Sequence, residues 1–292
     1  MVEEIKDSPQ LAISWMLLAS LAFASGSALV KWTAGSVDVW TVVFGRSLVI
    51  VIVILFWSYL SGASLKVGNR PRLLWRCTAG LSAMLCYFYS VQEIPLSNAV
   101  TLQYSSPIFV ALFSGIMLSE KVSPLIYGCI FFSFVGVILI VSPSLKTIET
   151  GASIALLSGI LSAFAYLAVR GLKDSSSPDG IVFWFAVFCT IFTLPFAITK
   201  LSKLEFVDIL AVIGVGVCAG IGQTGMTRAY HAARAAYVGA FSYATVIVGV
   251  IYSWLLFDQE IVTGDFLGTL FIVISGAILT ISIPKTSNAP GP

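Results

Sequence analysis

Tyr87, Gln103, Tyr104, Ser106, Tyr166, Trp184, Gln223 and Tyr243 all fall inside long apolar runs of this sequence. Neutral polar and aromatic side chains in such places avoid hydrocarbon. They either bond one helix to another or line a hydrated cavity. A tyrosine offers a small amphipathic solute both a ring face and a hydroxyl. Asn98, Thr101, Ser105, Thr224, Thr227 and Ser242 add further hydrogen-bonding groups to the same runs. The chemistry open to this set is recognition of a small solute, and bond cleavage needs more. It needs a nucleophile beside a base, paired carboxylates in a cavity, or a metal cluster. The single histidine, His231, stands between Arg228 and Arg234 at a helix end, where water can solvate it, and no HExxH occurs. The five cysteines lie in apolar runs without CxxC spacing and read as small core residues. No metal, cofactor or enzymatic activity is expected.

Charge is equally informative. Every Asp and Glu falls in a tail or at a loop edge, so no mid-span carboxylate is available as a proton or sodium relay. Arg46 is read as the one cation well inside a run, roughly 12 Å past a helix start near Asp38 at 1.5 Å per residue. It either contacts an anionic group of a solute or serves the structure by snorkelling outward. Pro107 interrupts an apolar run in mid-course and frees a backbone carbonyl. It is read as a bend lining a pathway or as a tolerated kink.

The elements that must position these residues are membrane helices. Apolar residues make up 58% of the 292, charged residues 10%, and the mean hydropathy is +0.98. A soluble domain carries about a quarter charged residues, so lipid must be part of the solvent here. A helix crosses the hydrocarbon core with about 20 apolar residues. Runs of that length are Leu11–Val30, Ser47–Leu65, Ile94–Ser119, Val122–Leu145, Thr150–Val169, Gly180–Thr199, Ile209–Thr227, Ala235–Phe257 and Phe266–Pro284. A tenth, Cys77–Gln92, reaches span length if Leu73–Arg76 joins it with Arg76 snorkelling to the interface. The first run lacks a cleavage box and is taken as a retained helix. The expected fold is an all-α polytopic membrane protein of ten transmembrane helices. Tails are expected at 1–10 and 285–292, with five-helix units at 11–145 and 146–284.

With the N-terminus cytoplasmic, eleven Lys and Arg fall on the cytoplasmic side, four outside, and Arg46 within a span. The positive-inside rule then places both termini inside. A net charge of +2 without a basic run gives no footing for nucleic acid.

The chain also repeats. At an offset of 140, Glu120, Gly128 and Gly136 fall on Glu260, Gly268 and Gly276, and Gly80 falls on Gly220. Glycines eight apart share a helix face and let helices approach closely in lipid. Two units of five spans must insert in opposite senses. That inverted arrangement suits alternating access around a midplane cavity.

These features resemble the drug/metabolite transporter superfamily in its EamA-like bacterial branch. The resemblance rests on Phe44-Gly45-Arg46, Tyr104-Ser105-Ser106-Pro107, the Leu118-Ser119-Glu120-Lys121 turn with Gly128 and Gly136, and the second copy at Phe257-Asp258-Gln259-Glu260 with Gly268 and Gly276. It covers residues 11 to 283, and its nearest likeness is to the YddG-type exporters of aromatic amino acids. The second copy departs from the pattern, since Ile247 stands where the first has Pro107. The resemblance implies a bacterial inner-membrane exporter of small metabolites, amino acids first and a broad range of drugs second. An accessory membrane protein, a channel and an intramembrane enzyme are the weaker alternatives.

Overall fold

The computed structural model describes residues 8–118, 123–141, 150–258 and 263–281, which form twelve helical segments joined by short connections. The first half holds α1 (Pro9–Trp32), α2 (Val39–Ser61), α3 (Arg70–Glu93), α4 (Leu96–Gln103), α5 (Ser106–Leu118) and α6 (Pro124–Val141). The second holds α7 (Thr150–Arg170), α8 (Pro178–Leu201), α9 (Phe206–Ala232), α10 (Ala235–Phe241), α11 (Ala244–Phe257) and α12 (Thr263–Ile281). Among the described residues, seven helical runs are long and apolar enough to cross a membrane, with 96–118 and 235–257 each counted as one. Pro124–Leu139 and Phe266–Ser275 are shorter apolar helices. α3 has the length, at 24 residues, but carries Arg70, Arg72 and Arg76 near its start. The chain is therefore an integral membrane protein, and Phe56, Ile116 and Phe206 are among the large apolar side chains that its surface exposes.

Local sequence sets the helix starts. Asp38 caps α2 by accepting from the Trp40 and Thr41 amides at 3.1 and 3.4 Å. Asn69 caps α3 through Arg72 N at 3.0 Å, and Ser177 caps α8 through Gly180 N at 3.1 Å. Such caps satisfy amides that have no partner in the first turn. Pro9, Pro71 and Pro178 stand in first turns, where a missing N–H costs nothing. α2 ends on Gly62, whose φ of +68° suits only glycine without strain.

The two halves interlock rather than sit side by side. α1 packs along α9, and α7 along α3; α2 pairs with α8, and α6 with α12. Exchanging the halves turns the first contact into the second and leaves the last two unchanged, as a two-fold axis requires. Direction follows from close approaches. Gly225 lies against Ala19, Gly222 against Phe23, and Gly214 against Leu29, so α1 and α9 are antiparallel. Gly171 lies against Arg72 and Gly151 against Ile94, so α3 and α7 are antiparallel too. The α1 and α3 ends meet, with Lys31 Nζ donating to Ile94 O at 2.9 Å, so these two run parallel. The second half therefore runs opposite to the first.

Loop contacts sort the connections by face. Gly68 N donates to Ser175 O at 2.9 Å, which joins the α2–α3 and α7–α8 connections. Ser36 Oγ donates to Asp208 Oδ1 at 2.8 Å, and Lys200 pairs with Asp38 at 3.4 Å, which joins the other set.

The fourth span is broken in both halves. α4 gives way to α5 at Tyr104-Ser105, and α10 to α11 at Ser242-Tyr243. Pro107 is the second residue of α5, so it opens a helix and does not kink one. The equivalent break has no proline, so an interruption of this kind can form without one. Gly159 of α7 admits the first break, because a Cβ there would meet Ser105 Oγ at 2.5 Å and Gln103 O at 3.0 Å. The repeat glycines divide. Gly136 meets the Gly268 backbone, where a Cβ would stand 2.5 Å from its carbonyl, whereas a Cβ at Gly128 meets nothing within 4 Å. Glu120, Lys121 and Glu260 lie outside the described residues.

Candidate solute-binding cavity

A cavity of about 80 Å³ lies where α1, α2, α3, α4, α7, α8 and α9 converge. Six of the residues singled out from sequence line it: Arg46, Tyr87, Gln103, Tyr104, Tyr166 and Gln223. Four do not. Ser106 is buried behind the break, and Tyr243 is buried in the second break. Trp184 is 45% exposed and donates its indole N–H to Leu65 O at 3.2 Å, so it faces outward. Pro107 packs against Gly239.

The cavity residues are held by neighbours. Tyr87 Oη and Ser27 Oγ are 2.8 Å apart, tying α3 to α1. Gln103 Nε2 donates to Ser162 Oγ at 2.7 Å, and Ser158 sits against its Oε1, which fixes the last residue of α4 on α7. Tyr166 stacks on Tyr230 with ring centroids 5.4 Å apart. Tyr87, Gln103 and Tyr166 therefore have a defined direction before any solute arrives.

The main departure from the sequence reading is Arg76. It does not snorkel to an interface. It is 2% exposed and lines the cavity, donating from Nη2 to Gln223 Oε1 at 3.0 Å with its guanidinium 4.0 Å from the Phe185 ring centroid. Arg46 is 3% exposed, so it does not snorkel either. Its Nη1 meets Met84 Sδ, and its guanidinium lies 5.7 Å from the centre of the Phe88 ring. The Nε of both arginines has no hydrogen-bond partner. No carboxylate lines the cavity among the described residues. The described Asp and Glu residues sit at helix ends or in connections. Two cations, not one, therefore face this space.

Sequence reasoning placed Arg76 with Arg70 and Arg72 because the three share one short stretch. The available signal was Gly80, one turn further on. A Cβ there would collide with Arg76 Nη1 and stand 2.9 Å from the Phe185 ring. His231 is also corrected. It is 2% exposed and not solvated, because the α9 end is covered by Arg170, which donates to its carbonyl at 3.1 Å. No cluster of metal-ligating residues occurs among the described residues.

Two copies of one sequence pattern cover this chain, at residues 10–142 and 149–281, and both match the EamA-like transporter family. The chain belongs to the EamA-like transporter family. The matched copies are offset by 149 − 10 = 139 residues, one less than the offset read from the Glu and Gly pattern. In that register Tyr104 pairs with Tyr243, and Pro107 with Val246 rather than Ile247. An uncharacterized transporter of Helicobacter pylori strain J99 is 31% identical over 283 residues, covering 92% of this chain and 94% of that one. The pseudopaline exporter CntI of Pseudomonas aeruginosa is 29% identical over 264 residues, covering 89% and 92%. A riboflavin transporter of Vibrio cholerae is 26% identical over 284 residues, covering 94% and 95%. One solved crystal structure superposes with a TM-score of 0.80 over 94% of this chain and 98% of its own, at 16% identity, which is a likeness of fold. The EamA-like transporter described here is thus a small-molecule transporter whose relatives are named for chemically different solutes.

Proposed function

We propose that this protein exports small carboxylate-bearing metabolites, amino acids including aromatic ones among them, by alternating access around the Arg46–Arg76 cavity. The reading takes the chain as ten crossings in a bacterial inner membrane with both termini cytoplasmic. The observation that carries it is a cavity between two oppositely directed halves, lined by tyrosines, amides and two guanidiniums, with no carboxylate among the described residues. Rings take up the apolar part of a solute. Guanidiniums take up carboxylate oxygens in a planar, two-point geometry. Arg46, Tyr87, Gln103, Tyr104, Tyr166 and Gln223 are the proposed contacts.

Without a mid-span acid, transport is driven by the solute's own gradient or by exchange. Purified protein in sealed liposomes should therefore support counterflow of labelled Phe, Tyr, Trp, Thr or Met without an imposed pH or sodium gradient. Strict dependence on such a gradient would sink the uncoupled reading. A second reading, a broad-specificity exporter, is favoured by the relatives, since pseudopaline and riboflavin are different solutes. Competition by unrelated aromatic solutes in the same assay would support it.

A further inference from the structure

We infer that the cavity is matched to a solute with two anionic groups, so dicarboxylates and other small dianions are bound ahead of neutral, zwitterionic or singly charged solutes. This deepens the proposed function and rests on the same cavity. Each guanidinium carries five N–H donors and no acceptor. In this structure one donor of Arg46 meets a thioether, Met84 Sδ, and one of Arg76 meets an amide, Gln223 Oε1. Neither acceptor carries charge. The rings of Phe88 and Phe185 ease the cations only partly.

A buried cation without a counter-charge is costly, and two that share one space add their mutual repulsion. The protein supplies no carboxylate to this space among the described residues. The two charges also come from different helices, α2 and α3, and each is braced by its own neighbours. Each thus offers its own free donors to an anionic group, which is the basis for two anion subsites. Gly80 keeps the second subsite open, because any side chain there would fill the position of Arg76 Nη1. A single carboxylate leaves one guanidinium uncompensated. A dianion compensates both, which is the state in which the cavity can close away from water.

The test uses the full-length protein in a neutral detergent and then in liposomes. The probes are glutarate and phthalate as dicarboxylates, phenyl phosphate as a dianion on one group, and benzoate, phenylalanine and phenylalanine amide as controls. Thermal-shift titration should show the dianions binding about tenfold or more tightly than benzoate, as two charge-assisted pairs against one predict. Phthalate and glutarate ahead of phenyl phosphate support two separate anion subsites; the reverse order overturns the two-group match, because the cations then converge on one phosphate. Arg46→Gln and Arg76→Gln should each bring glutarate down to the benzoate level. Where a Gln variant does not fold, the Lys variant and the wild-type ranking still decide.

Benzoate or phenylalanine binding as well as glutarate in the wild type overturns the inference. So does phosphatidylglycerol blocking the dianion shift, because the cations then hold a lipid headgroup. Liposome counterflow separates the two readings. Dianion binding without any counterflow defeats the proposed transport and leaves the charge match standing. Counterflow of phenylalanine with no response to dianions does the opposite.

Discussion

Arg76 shows why a residue's neighbours in sequence can mislead about its neighbours in space. It follows Arg70 and Arg72 closely, and that proximity suggested a basic helix end at an interface. Its burial is decided by Phe185 and Gln223, more than a hundred residues away, and by the missing side chain at Gly80. Residue type alone identified Tyr87, Gln103, Tyr104, Tyr166 and Gln223, because polar groups in apolar runs must face protein or water. It could not separate them from Ser106 and Tyr243, which are equally deep but turned into packing. Gly80→Ala tests the steric part of this account. The added methyl would displace Arg76, so counterflow affinity should fall about tenfold, in line with loss of one charge-assisted contact. Gly128→Ala is the control. Its methyl meets nothing within 4 Å, and transport should be unchanged.

At the scale of elements, the repeat equips each half with the same fastening. Lys31 ends α1 and Arg170 ends α7, and 31 + 139 = 170, so they are repeat mates. Lys31 Nζ donates to the Gln92 and Ile94 carbonyls at 3.4 and 2.9 Å. Arg170 Nη1 donates to the Tyr230 and His231 carbonyls at 3.2 and 3.1 Å. Each cation thus closes the carbonyl end of the third long helix in its own half, where the helix dipole favours positive charge. Removing the cation should cost about 2 kcal/mol locally, the scale of a hydrogen bond to a charged group after exchange with water. Lys31→Gln should speed hydrogen exchange at the end of α3 and leave the end of α9 unchanged. Arg170→Gln should do the reverse. Equal acceleration at both ends would show that the fastenings are not local.

The fourth-span break is the other element-scale result. Its position was legible from Pro107, but its cause was not, because the second half breaks at Tyr243 with no proline. Pro107→Ala should therefore keep the break, with stability changed by no more than about 1 kcal/mol. Loss of counterflow in that variant would return the proline to a mechanical role.

At the scale of the whole molecule, the number of basic residues on each face becomes a statement about insertion. On the insertion expected from sequence, taking Arg76 out of the cytoplasmic count leaves ten Lys and Arg against four, with Arg46 and Arg76 in the cavity, which still accounts for all sixteen. The bias survives because the buried arginine was one among eleven. The faces themselves are fixed by contacts and not by charge. The 62–69 and 171–177 connections touch each other, and the 33–38 and 202–205 connections lie together around Asp38, Lys200 and Asp208. A cysteine-free background carrying Ser64→Cys or Ser175→Cys should resist an impermeant thiol reagent added outside intact cells. Ser36→Cys or Ser202→Cys should be labelled by it. Labelling of Ser64→Cys and Ser36→Cys from one side would contradict the contact geometry. Labelling of the Ser64 and Ser175 variants alone would instead reverse the insertion and keep the fold. The assay therefore separates the sense of insertion, which rests on a surplus of cations, from the inverted architecture, which rests on which helices lie antiparallel.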